Sequence, residues 1–165
     1  MQRTPGLIAA FAALLAFAPI AGSARAAGLC GAAQTTYFSC PTARHRAIAL
    51  CGAVPTALQY RYGTPSRIEL AFPANAADGA SQLGYAHYAR YQAERTEVTF
   101  SRVGVDYAVF DYTERGRRRA GVQVTTADGE VHEVACAGAI EGRLDTLGTN
   151  LRCDPDNALN GGRCP

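Results

Sequence analysis

Lysine and tryptophan are absent: all sixteen basic residues are arginine, a pattern that reflects G/C-biased coding rather than a function. Net charge is scarce too. Arg3 and Arg25 fall in an N-terminal leader, and the other fourteen arginines equal the fourteen Asp and Glu, so the rest of the chain is formally neutral. A neutral domain has no broad field to gather nucleic acid, so no nucleic-acid partner is expected. Beyond residue 26 no apolar run approaches the roughly 18 consecutive residues of a membrane span, so no transmembrane segment is expected either. Collagen-like, coiled-coil and disordered chains are excluded by the same composition. Without a repeat or an interdomain linker, the 165-residue chain fits one domain after its leader, over residues 27–165.

Catalytic and metal-binding signatures are missing as well. The cysteine spacings contain no C-x2-C and the histidines no H-x3-H knuckle, which leaves zinc without ligands at its usual spacing. His45 sits between Arg44 and Arg46 at an expected hairpin tip, His87 and His132 lie within expected strands, and no G-x-S-x-G elbow supplies a nucleophile. Asp154-Pro155-Asp156-Asn157 resembles the start of a calcium loop, but Ala158 stands where an oxygen ligand is needed and no glutamate closes the loop. An acidic Asx turn is expected there instead. No cofactor and no enzyme activity are expected, and a small periplasmic enzyme built on His87 or His132 is the alternative.

Several features are present and point one way. Arg3, the apolar stretch Leu7 to Ile20 and Ala24-Arg25-Ala26 form the three parts of a signal peptide over residues 1–26, which predicts a periplasmic or secreted protein. Lipidation at Cys30 is not expected, because Leu29 occupies the place a small residue should take. All six cysteines, Cys30, Cys40, Cys51, Cys136, Cys153 and Cys164, follow the leader, as suits disulfides in an oxidising compartment. Connectivity stays open among fifteen pairings. Three cysteines precede residue 52 and three follow residue 135, so full pairing requires an odd number of bridges between the two groups. Strand parity turns Cys51 away from the face of Cys40, which leaves a Cys40–Cys51 bridge without support unless a bulge intervenes.

Alternation with period two dominates and no helical stripe is sustained before residue 139, which predicts an all-β fold. Nine strands are expected, at Thr35 to Cys40, Ala47 to Cys51, Ala57 to Tyr62, Arg67 to Phe72, Gly84 to Tyr91, Thr96 to Arg102, Val105 to Tyr112, Arg119 to Thr126 and Glu130 to Ala137. Gly63-Thr64-Pro65, Arg115-Gly116 and Asp128-Gly129 supply turn chemistry, and Asn75 to Gln82 is the longest expected loop. About eight or nine short antiparallel strands must close up to protect their edges, so a disulfide-braced barrel or two-sheet sandwich is expected. Ile140, Leu144, Leu147 and Leu151 suggest a short C-terminal helix packed on it.

Two surface sets are candidates for binding. Tyr85, His87, Tyr88, Arg90 and Tyr91 belong to the richest aromatic segment, and tyrosine appears on both of its faces, so at least one face displays it. Tyrosine and arginine on a display face anchor protein interfaces, because they bury a large area at low entropic cost. Arg117, Arg118 and Arg119 follow the Arg115-Gly116 tip and can fork onto carboxylates or phosphates.

Tyr37-Phe38-Ser39-Cys40, Leu50-Cys51-Gly52, Gln59-Tyr60-Arg61-Tyr62-Gly63, Tyr88-Ala89-Arg90-Tyr91, Val109-Phe110-Asp111-Tyr112 and Cys153-Asp154-Pro155-Asp156-Asn157-Ala158-Leu159-Asn160 resemble a family of small exported, cysteine-containing bacterial proteins without an assigned activity. That resemblance implies export and transfers no site residues. In size, export and β-rich build the chain is also similar to the periplasmic lysozyme inhibitors, with Ser81-Gln82-Leu83-Gly84-Tyr85 nearest to their Ser-Gly-x-x-Tyr loop. Together these expectations describe a non-catalytic module that binds an envelope or secreted protein, with inhibition of a cell-wall hydrolase as the most concrete version. An envelope component that holds anionic lipid through the arginine tip at residues 115–119 is the other alternative.

Overall fold

The computed structural model describes residues 28–164, so the expected signal peptide lies outside the described residues. Two meanders follow one another along the chain. The first comprises β1 (Thr35–Pro41), β2 (Ala47–Ala53), β3 (Ala57–Thr64) and β4 (Arg67–Phe72), and the second β5 (Gly84–Arg90), β6 (Ala93–Arg102), β7 (Val105–Glu114), β8 (Arg117–Thr125) and β9 (Val131–Ala135). All nine fall where alternation predicts them. Two short additions, β10 (Glu141–Gly142) and β11 (Arg152–Cys153), extend the sheets to the orders β10-β1-β2-β3-β4 and β11-β5-β6-β7-β8-β9. The sheets stay separate rather than closing on themselves, so the fold is a sandwich and not a barrel. Every named pairing is antiparallel except β11 with β5, which is parallel.

Register explains why this pattern holds. Val98, Val109, Val122 and Val134 lie opposite one another across β6 to β9, so one row of β-branched side chains crosses four strands on the core face. The facing sheet contributes Phe38, Ile48, Leu50, Leu58 and Tyr60, all buried. Phe100 is stacked between Phe72 at 4.5 Å and Tyr107 at 4.7 Å, so aromatic rings from both meanders interlock.

Local chemistry shifts three expected elements and realises a fourth, the Arg115-Gly116 turn, where it is expected. Leu144–Leu147 form a single 3-10 turn rather than a C-terminal α-helix, yet Leu144, Leu147 and Leu151 are buried and Ile140 packs on the core. Residues three apart eclipse in a 3-10 turn, so the apolar spacing of Leu144 and Leu147 is met without a longer helix. Gly148 then lies against Tyr85, where an added Cβ would come within 3.1 Å of the ring. The expected loop at Asn75 to Gln82 folds instead into a 3-10 turn, Ala76–Asp78, capped by the Asn75 side chain, and a one-turn helix α1, Gly79–Gln82. Gly63 sits inside β3 at a register shift with φ of 143°, so the reversal comes one step later at Pro65-Ser66. Arg115 and Gly116 both adopt positive φ, 48° and 77°, as a two-residue hairpin turn of this hand requires.

Three disulfides pair all six cysteines: Cys30–Cys51, Cys40–Cys136 and Cys153–Cys164. One bridge joins the early and late groups, as parity demands. Cys51 turns to the outer face of β2, where Leu29 and Ala49 bury it, and Cys40 points into the core. With its sulfur in the Cys51 bridge, Cys30 has no free thiol. Among the described residues no helix is long and apolar enough to cross a membrane.

Candidate Tyr/Arg binding groove

The outer face of the second sheet is where the sequence candidates converge. Alternation along β5 to β8 sets two rows of side chains across that face near one end of the strands. One row reads Arg90, Ala93, Glu114, Arg117 and the next Tyr88, Arg95, Tyr112, Arg119, each residue opposite the next in register. In a meander, alternate hairpin tips fall at the same end. The β5–β6 tip at Tyr91-Gln92 therefore lies beside the β7–β8 tip at Arg115-Gly116, and the Arg115 N–H donates to the Gln92 carbonyl at 2.8 Å. Between the tips runs a groove of about 760 Å³ lined by both rows except Tyr88, and by Tyr91, Gln92, Arg115 and Arg118.

Charges inside the groove are unevenly compensated. Arg95 donates to Glu114 through Nε at 2.8 Å and lies over the Tyr112 ring at 5.3 Å. That contact holds the Glu114 carboxyl below its ordinary range, with Arg90 and Arg115 adding attraction from farther away. Arg118 forks onto Asp111 at 2.8 and 2.7 Å and also donates to the Gly142 carbonyl at 2.7 Å. Arg119 pairs with Glu133 and lies over the Phe110 ring at 5.1 Å. Arg90, Arg115 and Arg117 form no ion pair among the described residues. Of the arginine run, only Arg115 and Arg117 thus keep open guanidiniums, and Arg90 joins them from β5.

Tyrosine display is divided between the two faces. Tyr88 is 41 % exposed on the outer face and Tyr91 89 % exposed at the tip. Tyr85 and His87 instead turn toward the first sheet. Burial raises the Tyr85 hydroxyl above its ordinary pKa, with Asp145 adding to the shift, while His87 Nδ1 lies 3.0 Å from Thr96 Oγ1. These two expected binding residues therefore lie half-buried on the inner face, opposite Val98 and Thr96, where Tyr85 packs against the core and Gly148. The Ser81 to Tyr85 likeness also loses its loop: Ser81 and Gln82 lie in α1, and Leu83 is fully buried. Arg95 and Glu114, which no local motif marks, are drawn in by strand register alone.

The C-terminal segment crosses the same face farther along the strands, outside the lining of this groove. Asp154 accepts from Thr99 Oγ1 at 2.5 Å, Asn157 donates to Glu97 at 2.6 Å, and Asn160 both accepts the His87 N–H and donates to the Tyr85 carbonyl, each at 3.1 Å. Asp154 also accepts the Asp156 N–H at 3.1 Å, the Asx turn its sequence suggests. Cys153–Cys164 closes this segment into a strap. Glu97 and Phe110 are buried on the outer face, and Tyr112 donates its hydroxyl to Glu97. Burial, then that hydrogen bond, pushes the Tyr112 pKa up. Beyond the strap lies a second groove of about 650 Å³, with Thr99, Ser101, Asp106 and Gln123 along its lining.

Among the described residues no group of His, Cys, Asp or Glu is placed to hold a metal ion. His45 and His132 are exposed, and the one carboxylate paired with His132 is Glu130, at 3.5 Å. Neither groove has a histidine in its lining. No protein-family model, no curated protein and no solved structure matches the chain.

Proposed function

We propose that this chain is a non-catalytic binding module, exported to the periplasm or beyond, that holds an envelope or secreted protein in the Tyr/Arg groove. One observation carries the reading: two separate stretches of sequence, one rich in tyrosine and one in arginine, meet in a single recess with three guanidiniums left without ion pairs. Arginine and tyrosine bind strongly when desolvated in a concave site, tyrosine because its rigid ring costs little entropy to immobilise and arginine because its planar fork makes paired hydrogen bonds. Three disulfides suit an oxidising compartment, which supports export. Inhibition of a cell-wall hydrolase would run through this groove, since no Ser81 to Tyr85 loop projects.

The test compares immobilised wild-type protein with an Arg90→Ala/Arg117→Ala variant in capture from native envelope extract, beside a lysozyme turbidity assay. A partner retained by the wild type and lost by the variant supports the reading. Equal capture by both proteins removes the groove from it, and undiminished lysis at micromolar protein removes the inhibitor version.

A further inference from the structure

Resting on that reading, we infer that the groove takes an extended acidic peptide segment that crosses the strands and carries carboxylates at positions i and i+4. The row Arg90, Ala93, Glu114, Arg117 is the basis. Arg90 and Arg117 are three strand spacings apart, about 14 Å at about 4.8 Å per spacing. An extended peptide advances about 3.3 to 3.4 Å per residue and returns to the same face every second residue, so side chains four apart match that span. Each end offers a guanidinium fork with no ion partner, the geometry that binds a carboxylate through two parallel hydrogen bonds.

Between the ends, Ala93 leaves room for the backbone, while Glu114 is occupied by Arg95 and repels acid at position i+2. A carboxylate there is disfavoured, so the recognised pattern is acidic-x-neutral-x-acidic. Arg115 and the exposed Tyr91 flank the same path from the two tips.

A lipid surface fits the same cations less well. Juxtamembrane recognition commonly uses clusters of 4–8 basic residues spread over an accessible surface. Here Arg118 and Arg119 are engaged by Asp111 and Glu133, and the remaining three guanidiniums line a recess that a flat bilayer does not enter.

Fluorescence anisotropy with labelled Glu-Thr-Ser-Thr-Glu tests the spacing against isomers carrying the two glutamates two or three apart and against the Gln-for-Glu peptide. The expected result is at least tenfold tighter binding of the i, i+4 peptide, a loss of tenfold or more in Arg90→Ala and in Arg117→Ala, and only partial rescue by Arg→Lys, which keeps charge but not the fork. Near-UV circular dichroism of each variant checks that the sandwich is intact, and a variant with an altered spectrum is replaced by Arg90→Gln or Arg117→Gln.

Equal affinity for all spacings, indifference to both arginine variants, concentration-dependent self-association through the groove, or binding to phosphatidylserine vesicles without peptide binding would each overturn the inference. If the groove variants lose a captured partner while no acidic peptide binds, this inference fails and the binding reading stands. If capture is unchanged in those variants, the groove drops out of the binding reading and this inference falls with it.

Discussion

The two outer faces of the sandwich have opposite fates, although both sheets are built from the same alternating strands. On the first sheet the N-terminal segment lies over β2 and β3: Cys30 is bridged to Cys51, Arg61 donates to the Leu29 carbonyl and to Gln34 at 2.8 and 2.9 Å, and Ala49 and Cys51 are fully buried. That face is sealed. On the second sheet the C-terminal strap covers only the middle, over Thr99 and Glu97, and leaves the Tyr/Arg rows open toward the tips. A segment held near each terminus by a disulfide does both jobs, and its reach decides which face is buried and which is displayed. The sealed face serves stability, and the open one is free to carry the polar and aromatic surface that binding needs.

The strongest way to break this contrast is to unfasten the sheets from each other. Replacing Cys40 and Cys136 together with serine removes the bridge that closes 96 residues, and chain-entropy accounting expects a loss of about 4 to 5 kcal/mol, readable as a lower urea midpoint. Next comes Ala49→Leu on the sealed face, which overpacks a fully buried site beneath Leu29 and should cost about 1 to 3 kcal/mol in the same unfolding assay. A cost near zero there would mean that the N-terminal cover is not a true seal.

Alkaline titration separates core from surface tyrosines. Burial raises Tyr60 above its ordinary pKa of 10.0, so its contribution is complete below about pH 10, where the unfolded tyrosine stays protonated, and is lost as pH rises toward the folded value. Thermal melts should fall above pH 10, and Tyr60→Phe should flatten that decline. The smallest effect belongs to the open face: Tyr91→Ala should change stability by less than about 0.5 kcal/mol while weakening ligand capture, measured by urea titration and binding side by side.

Much of this arrangement was legible beforehand, for identifiable reasons. Runs such as Glu97-Val98-Thr99-Phe100 and Gly121-Val122-Gln123-Val124 alternate cleanly, so all nine long strands could be placed. β10 and β11 span two residues each and have no local signal; they exist because a neighbouring strand offers an edge. Tyr85 and Tyr88 illustrate the harder problem. With tyrosine on both faces of β5, pattern alone cannot choose the inner one, and packing against Gly148 and the core decides for Tyr85. Tyr88, Arg90, Tyr91 and Arg117 reached the site by composition, while the coupling of Arg90 to Arg117 across three strand spacings depends on register, a property of the assembled sheet.

The Cys40–Cys136 seam has a consequence for how the chain is made. At synthesis rates of about 5–20 residues per second, the second thiol trails the first by about 5 to 20 seconds, and for most of that interval Cys30, Cys40 and Cys51 are together without it. Two of the three can marry while one must wait, and Cys40 must be the bachelor. Wrong early unions would leave Cys40 unable to reach Cys136, so oxidative refolding of the reduced chain should be more complete in a glutathione redox buffer, which reopens them, than under air oxidation alone.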